Sequence, residues 1–250
     1  MIPGYGAALL RSLERFLLPN SCVACGRLVD RHLPDELVCS LCRWRMKPLI
    51  GGCRRCNQPL PLVGPCRFCA PWPEELLWAR SAVWLDPEAK AVVHHLKYRG
   101  YPALADFAAA MIARYIARPE AGVLVPIPLT AAKERRRGYN QAALLARALG
   151  KRWGLPVDQA LLVRVREGGS QTALTPEARL ANIKDAFRAR SASAVELIII
   201  IDDVLTTGAT LIAAAAALVD AGCSRVGAVT FARTSPFERR ISAQSSEHQR

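Results

Sequence analysis

The feature of this sequence that most constrains its fold is one stretch near the C-terminal end, "ELIIIIDDVLTTGATLIAAAAALVDAG" (196–222). Four isoleucines lead directly into two adjacent acids, Asp202 and Asp203, and then into a turn of small polar residues. An unbroken run of branched apolar residues is typical of a strand that is buried on both faces of a parallel sheet. We therefore predict a buried strand over Val195–Ile201, with both acids at its carboxyl end and outside the core.

The turn that follows the acids predicts a site for an anion. Its residues are Thr206, Thr207, Gly208, Ala209 and Thr210. Backbone N–H groups and threonine hydroxyls converge where such a turn enters a helix, and the helix dipole adds positive potential, so a phosphate fits there. A phosphate site beside two carboxylates suggests a sugar phosphate, because carboxylates accept hydrogen bonds from ribose hydroxyls. The pair can also help to organise a Mg²⁺-bound ligand.

Alternating strand-like and helix-like runs begin at about Glu74 and predict an α/β domain with a parallel sheet. Besides the strand described above, the predicted strands cover 81–86, 122–128, 159–166 and 225–233. The predicted helices cover 88–98, 101–117 and 140–150, and a last helix ends at Gly222. We expect Asn140 to cap its helix and Gly150 to end it. The basic stretch "AAKERRRGYN" (131–140) is predicted to be a loop.

Eight of the nine cysteines form four Cys-x-x-Cys pairs within the first 73 residues. The pairs are Cys22 and Cys25, Cys39 and Cys42, Cys53 and Cys56, and Cys66 and Cys69. Two such pairs complete a tetrahedral site, so four pairs predict two structural Zn²⁺ ions. Neighbouring pairs make the simplest sites, and an interleaved arrangement is also open. Spacing alone also allows iron–sulfur ligation, although the regular pairs favour zinc; the ninth, Cys223, is expected to be a small buried apolar residue.

The balance of charged residues favours acidic partners. The chain has 34 basic against 21 acidic residues and a formal net charge of +13, which suits phosphorylated ligands or nucleic acid. Most of the basic residues are arginines, a preference that a GC-rich coding sequence also produces. No apolar run reaches the length of a membrane span, and the N-terminal stretch lacks the apolar core of a signal peptide. We therefore expect a cytoplasmic location.

The strand, the acid pair and the turn closely resemble the ribose-phosphate loop of the type I phosphoribosyltransferases. The resemblance implies binding of phosphoribosyl pyrophosphate (PRPP), whose pyrophosphate is replaced by a nitrogen nucleophile. It also implies that Arg135, Arg136 and Arg137 belong to a mobile catalytic hood that neutralises the leaving pyrophosphate. An ordinary solvated basic loop is the alternative for each arginine. Thr206 stands where the purine-salvage members carry their general base, so a purine-salvage enzyme is disfavoured.

From Cys22 to about Arg233, the chain resembles the ComF family, also called GntX-like. The resemblance rests on the cysteine pairs and on "HHLKYRG" (94–100), "VPIPL" (125–129), "RRRGYNQA" (135–142), "RLANIKDAF" (179–187) and "IIDDVLTTGATL" (200–211). It implies a double zinc ribbon joined to a type I phosphoribosyltransferase-fold domain, with two structural zinc ions and with Mg²⁺ bound alongside PRPP. It further implies a role in natural competence, with single-stranded DNA and other competence proteins as partners.

Two other functions are compatible with the same residues. One is an active phosphoribosyltransferase on an unidentified nitrogen acceptor, and the other is a regulator in which PRPP occupancy controls a nucleic-acid or protein partner. The expected domain organisation is the same in each case. It comprises an amphipathic N-terminal helix (1–20), the double zinc ribbon (21–73), the phosphoribosyltransferase-like domain (74–235) and a polar, disordered tail (236–250).

Two stretches support binding of single-stranded DNA independently of the resemblance. "KYRGY" (97–101) and "RRRGYN" (135–140) interleave positive charge with aromatic rings, a pattern that holds single strands by phosphate contacts and base stacking. The arginines expected to extend this basic surface are Arg27, Arg31, Arg43, Arg45, Arg54 and Arg55. In the alternative interpretation, Tyr98, Tyr101 and Tyr139 are packing residues.

Overall fold

The structure, a computed structural model, describes residues 21–29, 37–60, 64–165, 186–190 and 196–235. The predicted N-terminal helix, the predicted polar tail, Arg31 and most of "RLANIKDAF" lie outside these residues. The helices are α1 (Ser40–Arg45), α2 (Pro87–Tyr98), α3 (Leu104–Tyr115), α4 (Ala131–Arg137), α5 (Gln141–Trp153) and α6 (Ala209–Asp220). The strands are β1 (Leu76–Trp84), β2 (Val123–Pro126), β3 (Leu162–Arg164), β4 (Phe187–Ala189), β5 (Ile198–Leu205) and β6 (Val226–Arg233).

Four strands form a parallel sheet in the order β1-β6-β5-β2. The isoleucine run lies in β5, between β2 and β6, and all four of its side chains are fully buried. In this register Ile200 is level with Val125 of β2 and Ala228 of β6. β3 and β4 pair antiparallel in a separate two-stranded sheet. The predicted α/β fold with a parallel sheet is therefore confirmed.

Alternate residues of β5 pack into different layers of the fold. Ile199 and Ile201 share a hydrophobic cluster with residues of α2, α3 and α5. Ile198 and Ile200 share the other cluster with residues of α6, β3 and β4. The sheet therefore lies between two apolar layers, which explains why its central strand has no polar face. Within the described part of the chain, no helix has the length and apolar character needed to cross a membrane.

The prediction was wrong for the basic stretch and for the end of the helix that follows it, each for a local reason. The basic stretch contains a helix, α4, because the Thr130 hydroxyl accepts a hydrogen bond from the Lys133 amide and Gly138, at φ 83°, ends the helix. The next helix continues past Gly150 to Gly154, which adopts φ 64°. Gly150 is required by packing, since a Cβ there would lie 2.7 Å from the Val157 side chain.

Strand β5 also extends further than predicted, through Leu205, because its pairing with β6 continues to Arg233. Asp203 therefore lies inside the strand and is only 2% exposed, whereas we had expected it outside the core. Strand β1 begins at Leu76, five residues before the predicted start at Ser81, since its pairing with β6 begins there.

The cysteine-bearing segments pack directly on the α/β part. The amide of Leu49 donates to the carbonyl of Ala82 in β1 (2.9 Å), and the amide of Ala79 in β1 donates to Arg55 (2.8 Å). The cysteines divide between the two layers. The first four contribute Cys22, Cys39 and Cys42 to the cluster around α2 and α3. The last four contribute Cys56, Cys66 and Cys69 to the cluster around α6.

Asp86 joins the segment that carries the first four cysteines to α2. Replacing this side chain tests the connection. Its Oδ1 caps α2 by accepting from the Ala89 amide (2.9 Å), and its Oδ2 accepts from the Lys47 amide (3.0 Å). Asp86→Ala removes both acceptors, so we expect the free energy of unfolding to fall by about 1–2 kcal/mol. Urea titration followed by circular dichroism measures this free energy.

Lys90→Ala, at an exposed position of the same helix, is the control, and its free energy of unfolding should stay within about 0.5 kcal/mol of wild type. Equal values for the two variants would contradict the double role of Asp86.

Candidate functional site

The two acids of β5 lie in different environments. Asp203 is buried, and its Oδ2 lies 2.5 Å from Nζ of Lys97, in the last turn of α2. Its Oδ1 accepts a hydrogen bond from Nε2 of Gln141, the first residue of α5 (3.2 Å). Asp202 is partly exposed, and its Oδ1 accepts from the Asp203 amide (2.8 Å). Both oxygens of Asp203 therefore have partners within the protein, whereas Asp202 is the more accessible of the two acids.

The surroundings of Asp202 and Lys97 change the protonation of these two side chains. Asp202 is partly exposed as a residue, but desolvation of its carboxyl group raises its pKa to about 8, and the charge of Asp203 acts in the same direction, against the lowering effect of Lys97. Burial lowers the pKa of Lys97, but the charges of Asp203 and Asp202 outweigh it and raise that pKa above its ordinary value. At neutral pH the lysine is therefore a cation paired with Asp203, while Asp202 is largely protonated.

Gln141 connects the acid pair with the arginine-rich helix. Nη1 of Arg137 donates to Oε1 of Gln141, whose amide nitrogen is bound to Asp203. The guanidinium of Arg137 also lies over the ring of Tyr98, 5.3 Å from its centroid. Of the three arginines proposed for the hood, Arg137 is thus brought to the acids through one intervening side chain. Arg135 and Arg136 lie exposed on α4.

The predicted anion loop lies directly after β5 and leads into α6. Thr206 and Thr207 are exposed, and the Thr207 hydroxyl accepts a hydrogen bond from the Ala209 amide (3.3 Å). Gly208 adopts φ 89°, a left-handed conformation that favours glycine, and it caps α6. A Cβ at Gly208 would lie 3.2 Å from Nε1 of Trp72, so the loop packs against that indole. The loop therefore lies at the carboxyl end of β5, as the sequence predicted, and Asp202 lies three residues before that end.

Gln141 and Trp72 were not assigned a role from the sequence, and Lys97 was assigned to the DNA-binding stretch 97–101, which its ion pair with the buried Asp203 corrects. Lys97 and Gln141 stand within "HHLKYRG" and "RRRGYNQA", which carried the family resemblance, and no residue of either stretch was paired with the acids. Trp72 was not singled out, although a tryptophan three residues after Cys69 is a bulky residue in a loop-rich segment. The contacts of Lys97, Gln141 and Trp72 arise from tertiary packing. In the sequence, only the two family stretches and the tryptophan itself could have pointed to these residues.

The eight paired cysteines form two clusters, named here the first cluster (Cys22, Cys25, Cys39, Cys42) and the second cluster (Cys53, Cys56, Cys66, Cys69). The structure thus favours ligation by neighbouring pairs over the interleaved arrangement. In each cluster the four sulfurs lie within 4.8 Å of one another. Contacts of 3.8 Å (Cys25–Cys39), 3.6 Å (Cys53–Cys69) and 3.5 Å (Cys56–Cys66) are too long for disulfides. A Zn–S bond of about 2.3 Å gives a tetrahedron with edges of about 3.8 Å, so both clusters could hold zinc.

Backbone amides prepare both clusters for thiolate ligands. The Cys39 amide donates to Sγ of Cys22, and the Arg55 amide donates to Sγ of Cys53, each at 3.4 Å. Burial raises the pKa of Cys22, but hydrogen bonds from backbone amides outweigh it and bring the pKa to about 7. The same balance brings the pKa of Cys53 to about 7. Because metals bind thiolates, this donor set fits a zinc ion in each cluster.

The arginines near the cysteines are only partly available as a basic surface. Arg55 donates to four carbonyls, those of Cys69, Trp72, Pro73 and Leu76. Arg43 donates to the Val38 carbonyl and lies over the Phe107 ring. These two side chains are structural, which corrects the expectation that they extend a DNA-binding surface. Arg27, Arg45 and Arg54 are exposed.

Of the three tyrosines suggested for base stacking, one is a packing residue and two are exposed. The hydroxyl of Tyr139 donates to the Leu96 carbonyl (2.6 Å), so Tyr139 is a packing residue. Tyr98 and Tyr101 are exposed, at 62% and 42%. An exposed ring offers a face for stacking, so only these two keep the role that the sequence suggested for all three.

The assignment of ligands to clusters can be tested by metal content. Cys39→Ser removes one ligand from the first cluster and leaves the second intact, so we expect the zinc content to fall from two ions per chain to one. Elemental analysis of protein purified without chelator measures this. Cys223→Ser, at a buried cysteine outside both clusters, should keep both ions. Two ions in Cys39→Ser would contradict the assignment.

Comparison with known proteins agrees with this geometry. The family described as the phosphoribosyl transferase domain matches residues 135–246, which include Arg135, the acid pair and the loop. The chain is 30% identical over 207 residues to the DNA utilization protein YhgH of Salmonella typhimurium, covering 79% of this chain and 90% of that protein. It is 33% identical over 202 residues to competence protein ComFC of Bacillus subtilis, covering 76% of this chain and 80% of that protein.

A third relative, competence protein F of Haemophilus influenzae, is 35% identical over 96 residues, which are 37% of this chain and 41% of that protein. The first two similarities extend over most of the chain, so they are not limited to the phosphoribosyl transferase region. On this ground the chain belongs to the ComF family, and in this chain two cysteine clusters precede a phosphoribosyltransferase-type domain.

Proposed function

We propose that this protein binds PRPP or a related ribose phosphate, together with Mg²⁺, at the carboxyl end of β5, and that it handles single-stranded DNA during natural competence. The observation that carries the proposal is the position of Asp202, a partly exposed carboxyl group in the last half of β5, the strand that leads through the loop 206–210 into α6. The names of the relatives, which refer to DNA utilization and to competence, support the process. We further propose that the protein acts in the cytoplasm, alongside other competence proteins.

The site offers a separate group to each part of such a ligand. The 5′-phosphate would bind the loop 206–210, where the backbone amides and the dipole of α6 favour an anion. The ribose hydroxyls would donate to Asp202, because Lys97 and Gln141 already occupy the oxygens of Asp203. Mg²⁺ bound with the ligand would neutralise the pyrophosphate.

The exposed arginines of α4 are the proposed contacts for phosphate groups outside the loop. Arg135 and Arg136 carry their charge at the surface. Tyr98 lies beside Arg137 and exposes a ring on which a base can stack. Charge and an exposed ring at one edge are the combination that holds single-stranded nucleic acid.

The protonation of Asp202 predicts how ligand binding depends on pH. With a pKa of about 8, Asp202 is mostly protonated at pH 7 and mostly ionised at pH 9. The ionised form is the stronger hydrogen-bond acceptor for the ribose hydroxyls, so we expect the affinity for PRPP·Mg²⁺ to rise by up to about tenfold over this range. The phosphate groups are already ionised above about pH 7 and contribute little. Isothermal titration calorimetry at a series of pH values measures the affinity.

Two variants separate this carboxyl group from other effects of pH. Asp202→Asn keeps the shape of the side chain and removes its titration, so binding should be weak and independent of pH. Asp220→Asn, at the exposed end of α6, should keep the rise. The same rise in Asp202→Asn as in wild type would contradict the proposed role. Asp203 is unsuitable for this test, because its replacement leaves Lys97 without its partner.

Binding of single-stranded DNA can be measured by fluorescence anisotropy across a salt series, with and without PRPP·Mg²⁺. Each phosphate contact contributes about 0.7 to the slope of log K against log salt. The double variant Arg135→Ala/Arg136→Ala should therefore bind more weakly and lower the slope by about 1.4. The matched control is Arg114→Ala/Arg225→Ala, which removes the same charge from exposed positions outside α4. Equal losses in the two double variants would make the effect one of net charge and would contradict a DNA surface on α4.

A catalytic function is the second candidate, and one contact favours it. Arg137 is joined to the acid pair through Gln141, which would let α4 respond to a ligand in the site. A transferase releases pyrophosphate from PRPP when a suitable nitrogen acceptor is added, and inertness across a broad panel would argue against it. DNA binding that changes with PRPP but without turnover would instead favour the regulator.

A further inference from the structure

Trp72 connects the second cluster with the loop 206–210. Its side chain is 5% exposed, and its indole nitrogen is buried without a hydrogen-bond partner among the described residues. Three atoms of the indole, Nε1, Cε2 and Cζ2, would lie 3.2–3.3 Å from a Cβ at Gly208. The indole therefore contacts the turn that would receive the phosphate. The contact is at Gly208, where the absence of a side chain allows the close approach.

The second cluster holds Trp72 in this position. The amide of Trp72 donates to the carbonyl of Cys69 (3.1 Å), and its ring packs edge-on against Phe68, with centroids 5.4 Å apart. The guanidinium of Arg55 donates to the carbonyls of both Cys69 and Trp72, each at 3.2 Å. Arg55 itself stands between Cys53 and Cys56 in the sequence. The orientation of the indole thus depends on ligand residues from both ends of the cluster.

A second contact joins the same cluster to the base of the loop. Arg233, at the end of β6, is fully buried; its Nη1 donates to the carbonyl of Cys56, and its guanidinium lies over Phe68, 3.9 Å from the ring centroid. Arg233 is level with Leu205, the last residue of β5, in the sheet register. The second cluster therefore contacts both the turn and the strand end from which the turn starts.

The first cluster has different neighbours. Its segment contacts the start of α2 through Lys47 and Asp86 and contacts α3 through Arg43 and Phe107. The two clusters have the same ligand chemistry and sit on different parts of the fold, so each serves as a control for the other.

We propose that the second cluster, when it binds metal, acts as a support for the loop 206–210, and that Trp72 is the positioning residue through which it acts. A loop that is held in its binding conformation loses less conformational entropy when the ligand binds. Loss of this metal, or of the indole, releases the loop and weakens ligand binding. The effect on ligand affinity rests on the proposed function, whereas the effect on the loop itself does not.

Hydrogen exchange of the full-length, zinc-loaded protein tests the support without any ligand. Amides of residues 206–210 should exchange about tenfold faster in Trp72→Ala and in Cys66→Ser, which removes a ligand of the second cluster. Cys39→Ser, which removes a ligand of the first cluster, should leave this peptide unchanged. Protection of residues 198–201 in the central strand serves as the internal check that each variant is folded. Unchanged exchange of the loop in a folded Trp72→Ala variant would overturn the proposal.

Affinity for PRPP·Mg²⁺, measured by calorimetry, gives the second readout. Trp72→Ala and Cys66→Ser should weaken binding by about tenfold or more, because small displacements of a binding group are costly. Trp72→Phe keeps a flat ring against Gly208 and should restore most of the affinity. Equal weakening in Cys39→Ser and Cys66→Ser would overturn the specific link to the second cluster. If wild type does not bind PRPP, the proposed function fails, and hydrogen exchange still decides whether the cluster supports the loop.

Discussion

Two carboxyl groups side by side in a buried strand cannot both be ionised without a counter-charge, and the contacts around β5 meet this constraint. Lys97 supplies the charge from the last turn of α2, and Gln141 supplies a hydrogen bond from the first turn of α5. Both helices must therefore end or begin at the same edge of the sheet. The last turn of α2 and the first turn of α5 thus meet at the acid pair, and α4 lies directly before α5 in the chain.

The parts of this site that the sequence predicted are those that local patterns determine. The unbroken isoleucine run predicted a central strand, the Cys-x-x-Cys spacing predicted two clusters, and Asn140 was correctly identified as a cap. The end of β5 was misplaced because Asp203 was assumed to be too polar for the core. Its burial is made possible by Lys97, which stands more than a hundred positions earlier in the sequence. No local pattern contains that partner, so neither the burial nor the length of the strand could be predicted.

The basic stretch before Asn140 shows a different limit. Its charges suggested a solvated loop, and charge alone does not decide between a loop and a helix. The helix α4 forms because Thr130 and Gly138 provide its two ends, and Arg137 then reaches Gln141 four positions later. Arg137 is the last residue of α4 and Gln141 is the first residue of α5, so their side chains meet between the two helices. The helical conformation of α4 therefore determines that Arg137, of the three arginines, is the one connected with the acids.

The cysteine clusters take the place of a hydrophobic core in a segment that has little apolar periodicity. Each cluster adds buried sulfur to one of the two layers of the fold, the first beside α2 and α3, the second beside α6. A metal in each cluster would therefore stabilise the packing of these segments on the larger sheet as well as their own fold. A segment with few helices and strands needs other hydrogen-bond donors for its backbone carbonyls. Arg55 and Arg233 supply such donors, to the carbonyls of Trp72 and Cys56 respectively.

The sites proposed for a ribose phosphate and for a nucleic acid lie close to each other. Arg137 contacts the ring of Tyr98 on one side and Gln141 on the other, so it lies between an exposed stacking surface and the acid pair. An anion in the loop would attract the arginines of α4 toward β5, whereas a phosphate chain at the surface would attract them away. The two ligands would then change each other's affinity through one short helix, and thermodynamic linkage requires that the change be equal in both directions.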